Sequence, residues 1–130
     1  MAVTTCGTPY YMPPEVCNNF PYEFKADVWS MGVMIYELVT LQKPFESPTM
    51  NGLFEKIRNQ PLDPLPDGTS SDVQLVINAL LNKEKDKRPS IFDVAKIPCV
   101  NKKIEQFIKE HDCKDEVMAY FDLEPIQKKN

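Results

Sequence analysis

At 130 residues, with 42% hydrophobic and 26% charged side chains, the chain suffices for one domain around one closed core. Nineteen acidic against fifteen basic residues leave a net charge of −4, which gives no electrostatic footprint for nucleic acid or an anionic membrane and leans weakly toward neutral or basic partners. Met1-Ala2-Val3-Thr4-Thr5 has no basic stretch ahead of an apolar one, so no secretory signal is expected; the longest apolar run, 28 to 41, is broken by Ser30, Glu37 and Thr40 and is shorter than the roughly 18–20 residues of a membrane span.

Four cysteines stand at 6, 17, 99 and 113 without a Cys-x-x-Cys, so the close ligand pairs of a zinc site are absent. His111 and Cys113 form a lone His-x-Cys, read as a solvated helix end. Without a targeting signal, reduced thiols and a cytoplasmic location are expected.

Up to about residue 21 the chain is rich in Thr, Pro and Tyr and lacks periodicity, which predicts extended loop. From about 25 to 41, Val28, Trp29, Met31, Val33, Met34, Ile35, Tyr36, Leu38, Val39 and Leu41 cover nearly every face of a helix, the pattern of an element at the centre of a domain. Pro44 ends that pattern. Leu53, Phe54 and Ile57 predict a short helix over 53–59. Pro61-Leu62-Asp63-Pro64-Leu65-Pro66-Asp67-Gly68 reads as loop, because prolines lack donors and Asp-Gly favours a turn; its Pro61-x-x-Pro64 is either an ordinary connection or a polyproline ligand. Thr69 and Asp72 predict a capping pair before Val73, Val76, Ile77 and Leu80, spaced i, i+3, i+4, i+7. Ser90 and Asp93 predict another, opening a short helix that Pro98 stops. Val100, Ile104, Phe107 and Ile108 define one face of a further helix, expected to pack as core or else to dock a partner. Val117, Met118, Tyr120 and Phe121 form a small apolar cluster before a polar end. No strand pattern and no repeat is convincing. The expected class is mostly α.

Gly7-Thr8-Pro9-Tyr10-Tyr11-Met12-Pro13-Pro14-Glu15 resembles the end of a protein-kinase activation segment, which usually closes on Ala-Pro-Glu or Ser-Pro-Glu. Twelve residues beyond Glu15 stands Asp27-Val28-Trp29-Ser30-Met31-Gly32, similar to the Asp-x-Trp-x-x-Gly of the large lobe's central helix. Asp86-Lys87-Arg88-Pro89-Ser90 is similar to the Arg-Pro-[Ser/Thr] that opens its last helix. Three motifs in the family's order are specific where one alone is not. They cover about residues 1–111 as a partial kinase domain and leave 112–130 as a C-terminal tail. Tyr10-Tyr11-Met12, the stretch Tyr36-Glu37-Leu38-Val39-Thr40-Leu41 with Pro44-Phe45, and Lys102-Lys103-Ile104-Glu105-Gln106-Phe107 resemble the NIMA-related (NEK) Ser/Thr kinases more narrowly. Met12-Pro13-Pro14 departs from the usual small residue before Pro-Glu and leaves Pro14 and Glu15 in place.

The resemblance implies the large (C-terminal) lobe of the kinase fold, truncated and starting in the activation segment. It implies that Thr8 supports the catalytic loop and lines the acceptor groove, a plain turn hydroxyl being the other reading. Pro9 and Met12 match the walls of the pocket for the side chain just after the acceptor. Glu37 falls where some members meet a basic substrate residue, although Tyr-Glu-Leu recurs whatever the specificity and a structural role stands beside that one. Thr4 and Thr5 are candidate sites of an activating phosphate, which would bring about −1.5 to −2 charges and recruit an arginine; unmodified loop residues are the alternative. Tyr10 and Tyr11 read as packing residues, and Asp27, Trp29 and Gly32 as structural ones. Glu15 and Arg88 are implied to meet as a buried ion pair tying the end of the substrate-binding loop to the helical floor. Arginine suits that place because its planar fork grips a carboxylate through two parallel hydrogen bonds.

Phosphoryl transfer in kinases needs a Gly-rich loop, a strand lysine paired with a helix glutamate, a catalytic-loop Asp and Asn, and the Asp-Phe-Gly metal ligand. The glycines stand at 7, 32, 52 and 68 and form no Gly-x-Gly-x-x-Gly, and neither His-Arg-Asp nor Asp-Phe-Gly occurs. In the family these parts lie N-terminal to where this sequence starts. No catalytic residue, metal ligand or cofactor is therefore expected in this chain, ATP and magnesium belonging to the parent kinase. Three readings stand: a piece of a NEK-like kinase, whose partners are a protein substrate or the missing N-terminal half; a non-catalytic protein-interaction module; and a helical scaffold related only by ancestry. Nuclear or cytoskeletal association is a family alternative to the cytoplasm. A central helix apolar on every side predicts exposed apolar surface and self-association of the chain alone.

Overall fold

The computed structural model describes residues 9–18 and 23–121. Thr4, Thr5 and Thr8 lie outside the described residues. Among those described, the elements are helices and none is a strand, so the fold is mostly α, consistent with the helical lobe of a kinase. The chain divides into two compact units, Met1–Pro89 and Ser90–Asn130.

The first unit opens with a 3-10 turn, Pro9–Tyr11, and α1, Pro14–Cys17, which carries proline at its start, where a missing N–H costs nothing. The long helix α2 spans Phe24–Thr40, α3 Met50–Asn59 and α4 Ser71–Leu80. Trp29, Val33 and Tyr36 of α2 meet Leu53 and Ile57 of α3 and Ile77 of α4 in one core, which Cys17, Phe45 and Leu81 complete. Burying each large side chain of this kind is worth roughly 1.5–3 kcal/mol. α2 is buried along part of its circumference and otherwise open, in line with the exposed apolar surface expected of this chain alone. Ala26, Val28, Trp29, Gly32, Val33 and Tyr36 are buried, but Met34, Leu38 and Val39 are exposed, as are Phe24 (91%) and Leu41 (87%) at its ends. Periodicity reports that a helix is apolar; it does not report how many neighbours the chain supplies.

Helix ends follow local hydrogen bonding. Leu41 closes α2 in the left-handed region, φ 58°, with its N–H donating to the Glu37 carbonyl at 2.8 Å, so the helix stops before Pro44 is reached. Thr49 caps α3 by accepting from the Gly52 N–H at 3.1 Å, which starts that helix three residues ahead of the expected Leu53. The cap of α4 is Ser70, accepting from Val73 N–H at 3.2 Å, and not Thr69. The Thr69 hydroxyl is spent one step earlier, donating to the Pro66 carbonyl at 2.7 Å across a turn in which Gly68 adopts φ +88°.

The second unit contains α5, Ile91–Lys96, α6, Pro98–His111, and α7, Lys114–Phe121. Ser90 and Asp93 form the expected reciprocal box: Ser90 Oγ accepts from Asp93 N–H at 3.1 Å and Asp93 Oδ2 from Ser90 N–H at 3.1 Å. Pro98 opens α6 as well as following α5, because a first-turn proline needs no intrahelical donor. Of the α6 face, Ile104 and Ile108 are half-buried, whereas Phe107 is exposed and sets its ring 4.3 Å from that of His111. No helix among the described residues is long and apolar enough to cross a membrane.

The crossing of α2 and α4 is fixed by Gly32. A Cβ there would lie 2.8 Å from Leu80 Cβ and 2.8 Å from Leu81 Cδ2, and Leu80 Cβ cannot yield without moving its helix. Alanine would recover about 1 kcal/mol of helix propensity but incur an overpacking cost of about 1–3 kcal/mol. Gly32→Ala is therefore expected to lower stability by up to about 2 kcal/mol in urea titration, and higher stability would show that the helices separate freely.

Candidate functional site

The site begins with the turn Pro9–Tyr11, closed by Met12 N–H on the Pro9 carbonyl at 3.2 Å. Tyr10, Tyr11 and Met12 pack their side chains against the core, which gives this otherwise irregular stretch a fixed position. Ser30 of α2 donates its hydroxyl to the Tyr11 carbonyl at 3.1 Å and is also within reach of the Ala26 carbonyl at 3.1 Å. Tyr11 Oη donates to Glu37 Oε2 at 3.0 Å, and Lys43 Nζ lies 4.7 Å from the centre of the Tyr10 ring. Accepting from Tyr11 fixes one oxygen of Glu37, while the half-exposed carboxylate keeps lone pairs for a further donor. That hydrogen bond and the Glu37 charge hold the Tyr11 phenol above its ordinary pKa. Tyr11 thus links the turn of Pro9 and Met12 to Glu37 of α2.

Below this turn lies the anchor. Arg88, 1% exposed, donates Nη1–H to Glu15 Oε1 at 2.7 Å and Nη2–H to Glu15 Oε2 at 3.0 Å, the two-pronged geometry that arginine allows. Two further donors are used: Nε–H to the Asn82 carbonyl at 2.9 Å and Nη1–H to the Lys25 carbonyl at 3.0 Å. One guanidinium so joins α1, the start of α2 and the segment after α4. Burial alone would push the Glu15 carboxyl up, but the Arg88 hydrogen bond, a backbone N–H and the Arg88 charge together hold it below the usual carboxylate value. A supporting lattice surrounds the pair, with Lys25 Nζ on the Lys85 carbonyl at 3.2 Å and Lys85 paired to Glu23 at 3.2 Å.

Arg88 also rests on Trp29, its guanidinium carbon 5.1 Å from the ring centre, and Trp29 stacks on Phe45 at 6.2 Å with 8° between planes. Lys83 Nζ sits 4.2 Å from the Phe45 ring centre and donates to the carbonyls of Ile57 and Lys56, closing the C-terminus of α3. Burial pushes the Lys83 amine down to about 8, while those carbonyls and the ring favour its charged form. Burial likewise pushes the Cys17 thiol up to about 11, so it stays a neutral packing group. The Trp29 indole N–H is buried without a hydrogen-bond partner among the described residues, so the ring contributes through its faces.

Of the residues singled out from the sequence, Glu15 and Arg88 are joined directly, Pro9 and Met12 flank Tyr11, and Glu37 is reached through Tyr11. Trp29 and Gly32 are buried; Asp27 stands exposed in the first turn of α2. Thr8, Thr4 and Thr5 lie outside the described residues. Tyr11 and Lys83 were not singled out as site residues. A tyrosine in an aromatic-rich loop reads as packing, and nothing in Leu81-Asn82-Lys83-Glu84 signals that Lys83 turns inward.

A stranded buried charge costs about 3–5 kcal/mol, while the intact pair adds little beyond its own desolvation. Glu15→Ala and Arg88→Ala are each expected to lose about 3–5 kcal/mol in denaturant titration, with the double variant no worse than the weaker single one. Additive losses would show that the two residues act separately.

Residues 2–100 match the family model of the protein kinase domain. A serine/threonine-protein kinase homologue of Trypanosoma brucei brucei is 41% identical over 109 residues, which is 84% of this chain and 25% of that protein. Mouse Nek4 is 37% identical over 109 residues, 84% of this chain and 14% of its own length. Mouse Nek5 is 36% identical over 124 residues, 95% of this chain and 20% of its own length. The chain thus spans about a quarter or less of these relatives. It belongs to the protein kinase family, and its curated relatives include NIMA-related (Nek) Ser/Thr kinases.

Proposed function

We propose that this chain is the acceptor-binding floor of a NIMA-related Ser/Thr kinase, able to hold a protein substrate's segment and unable by itself to transfer phosphate. The bidentate Glu15–Arg88 pair carries this reading, because it joins the turn bearing Pro9, Tyr11 and Met12 to the helices beneath. Pro9 and Met12 would wall the pocket for the residue after the acceptor. Glu37, oriented by Tyr11, would receive a basic side chain of the substrate. Thr8 would support the catalytic loop of the parent kinase, and Thr4 or Thr5 would carry an activating phosphate.

On this reading ATP and magnesium would be held by other parts of a parent kinase. A cleft of about 330 Å³, lined by Leu62–Gly68 with Gln74 and Asn78, offers two carboxylates and no cation to a triphosphate. Among the described residues no three His, Cys, Asp or Glu side chains gather as metal ligands.

A second reading, a non-catalytic module that binds proteins, is favoured by the exposed Phe24, Leu38 and Leu41 along α2. The same surface would serve the first reading as the seat of the N-terminal half, and would promote self-association without it.

Calorimetric titration of the purified chain with Mg-ATP is expected to give no saturable heat, and acceptor peptides no phosphorylation. Saturable micromolar binding of Mg-ATP would overturn the proposal.

A further inference from the structure

The segment Pro61-Leu62-Asp63-Pro64-Leu65-Pro66 takes no part in the acceptor surface. Its prolines dictate its backbone. Pro61, Pro64 and Pro66 hold φ near −65°, and Gln60, Asp63 and Leu65, each preceding a proline, are steered out of the helical region. Within 60–66 only Leu62 escapes both restrictions. Gln60 has φ −79° and ψ 128°, near the polyproline II values of about −75° and +145°. No backbone group of 61–65 hydrogen-bonds another described residue, as in polyproline II, whose backbone is left to water.

Exposure along the segment repeats every three residues. Leu62 and Leu65 pack against the core, while Pro61, Asp63, Pro64 and Pro66 are exposed. Three is the polyproline II period, so the leucines form one ridge seated in the protein. Pro61 with Pro64, and Asp63 with Pro66, form the two ridges facing water. Both ends are fixed: Gln60 N–H donates to the Lys56 carbonyl at 2.9 Å, and Thr69 N–H to the Pro66 carbonyl at 3.1 Å.

We infer that residues 60–67 are a preformed docking ridge for a domain that reads polyproline II through an aromatic-walled groove with a basic rim. Preorganisation leaves little backbone entropy to lose on binding, and the anchored leucines occupy the ridge such grooves leave unread. The rim is specified by charge: the ridge and its turn carry Asp63 and Asp67 and no Lys or Arg. Arg58 completes Arg-x-x-Pro-x-x-Pro in the sequence, but it lies in the last turn of α3, paired with Glu55 at 3.2 Å and donating to the Cys17 carbonyl at 3.4 Å. It is therefore not displayed as the arginine that acidic-rimmed grooves select.

The test titrates the ¹⁵N-labelled chain with purified SH3 and WW domains sorted by rim charge. Saturable shifts of the Leu62, Asp63 and Leu65 amides are expected with basic-rimmed domains. Pro61→Ala with Pro64→Ala should weaken that binding at least tenfold while leaving the far-ultraviolet circular dichroism unchanged. Asp63→Lys, which leaves every proline in place, should weaken it at least fivefold. The inference is overturned if no domain of the set moves these amides, if only acidic-rimmed domains do, or if a folded variant binds as the parent does.

Discussion

Arg88 is the residue on which the first unit turns. A guanidinium with almost no exposure needs partners for its N–H groups, and here four of the five find them on separate stretches of chain: Glu15, the Lys25 carbonyl and the Asn82 carbonyl. Each contact is ordinary in length. Their convergence matters, because none of these stretches can shift without leaving a buried donor unmet. The Trp29 ring beneath adds a face on which a flat cation rests, and Phe45 and Lys83 continue the stack toward α3. A lysine could supply the charge but not the fork.

A buried ion pair is a poor source of net stability, since desolvation offsets most of its attraction. Its value here is positional. The turn Pro9–Tyr11 and α1 together offer few residues and little periodic structure, too little to fix themselves. Glu15 below and the Ser30 and Glu37 contacts above hold them. Such a surface can present an extended chain in one orientation, which is what the proposed acceptor role requires. The apolar surface left open on α2 is the complement of this arrangement, since a helix built for contact on every face is here covered on one side only.

The sequence discloses most of the helices because apolar spacing, Ser and Thr caps and prolines act locally. Ser90 and Asp93 are legible as a box for that reason. The choice between Thr69 and Ser70 as a cap was not, because both can accept from a first turn and only the Pro66 turn decides which hydroxyl is free. Glu15 and Arg88 could be paired in advance through the motifs they sit in, despite a separation of 73 residues. The Tyr11–Glu37 contact and the inward course of Lys83 could not, since each depends on where a long side chain ends in three dimensions. That α2 would leave apolar surface open was legible, but which of its residues would be exposed was not, because burial is a property of neighbours.

The central claim, that the fork of Arg88 holds the turn and α1 in place, is tested most directly by hydrogen exchange in Arg88→Lys. The amides of Val16, Cys17 and Asn18 bond to the carbonyls of Pro13 and Pro14, and those of Gln60 and Leu81 close α3 and α4. The expected result is exchange faster by about tenfold or more at Val16, Cys17 and Asn18, the equivalent of at least ~1.4 kcal/mol, with Gln60 and Leu81 nearly unchanged. Exchange at Val16, Cys17 and Asn18 at the parent's rate would show that charge alone, or the packing of Tyr10 and Tyr11, holds the segment.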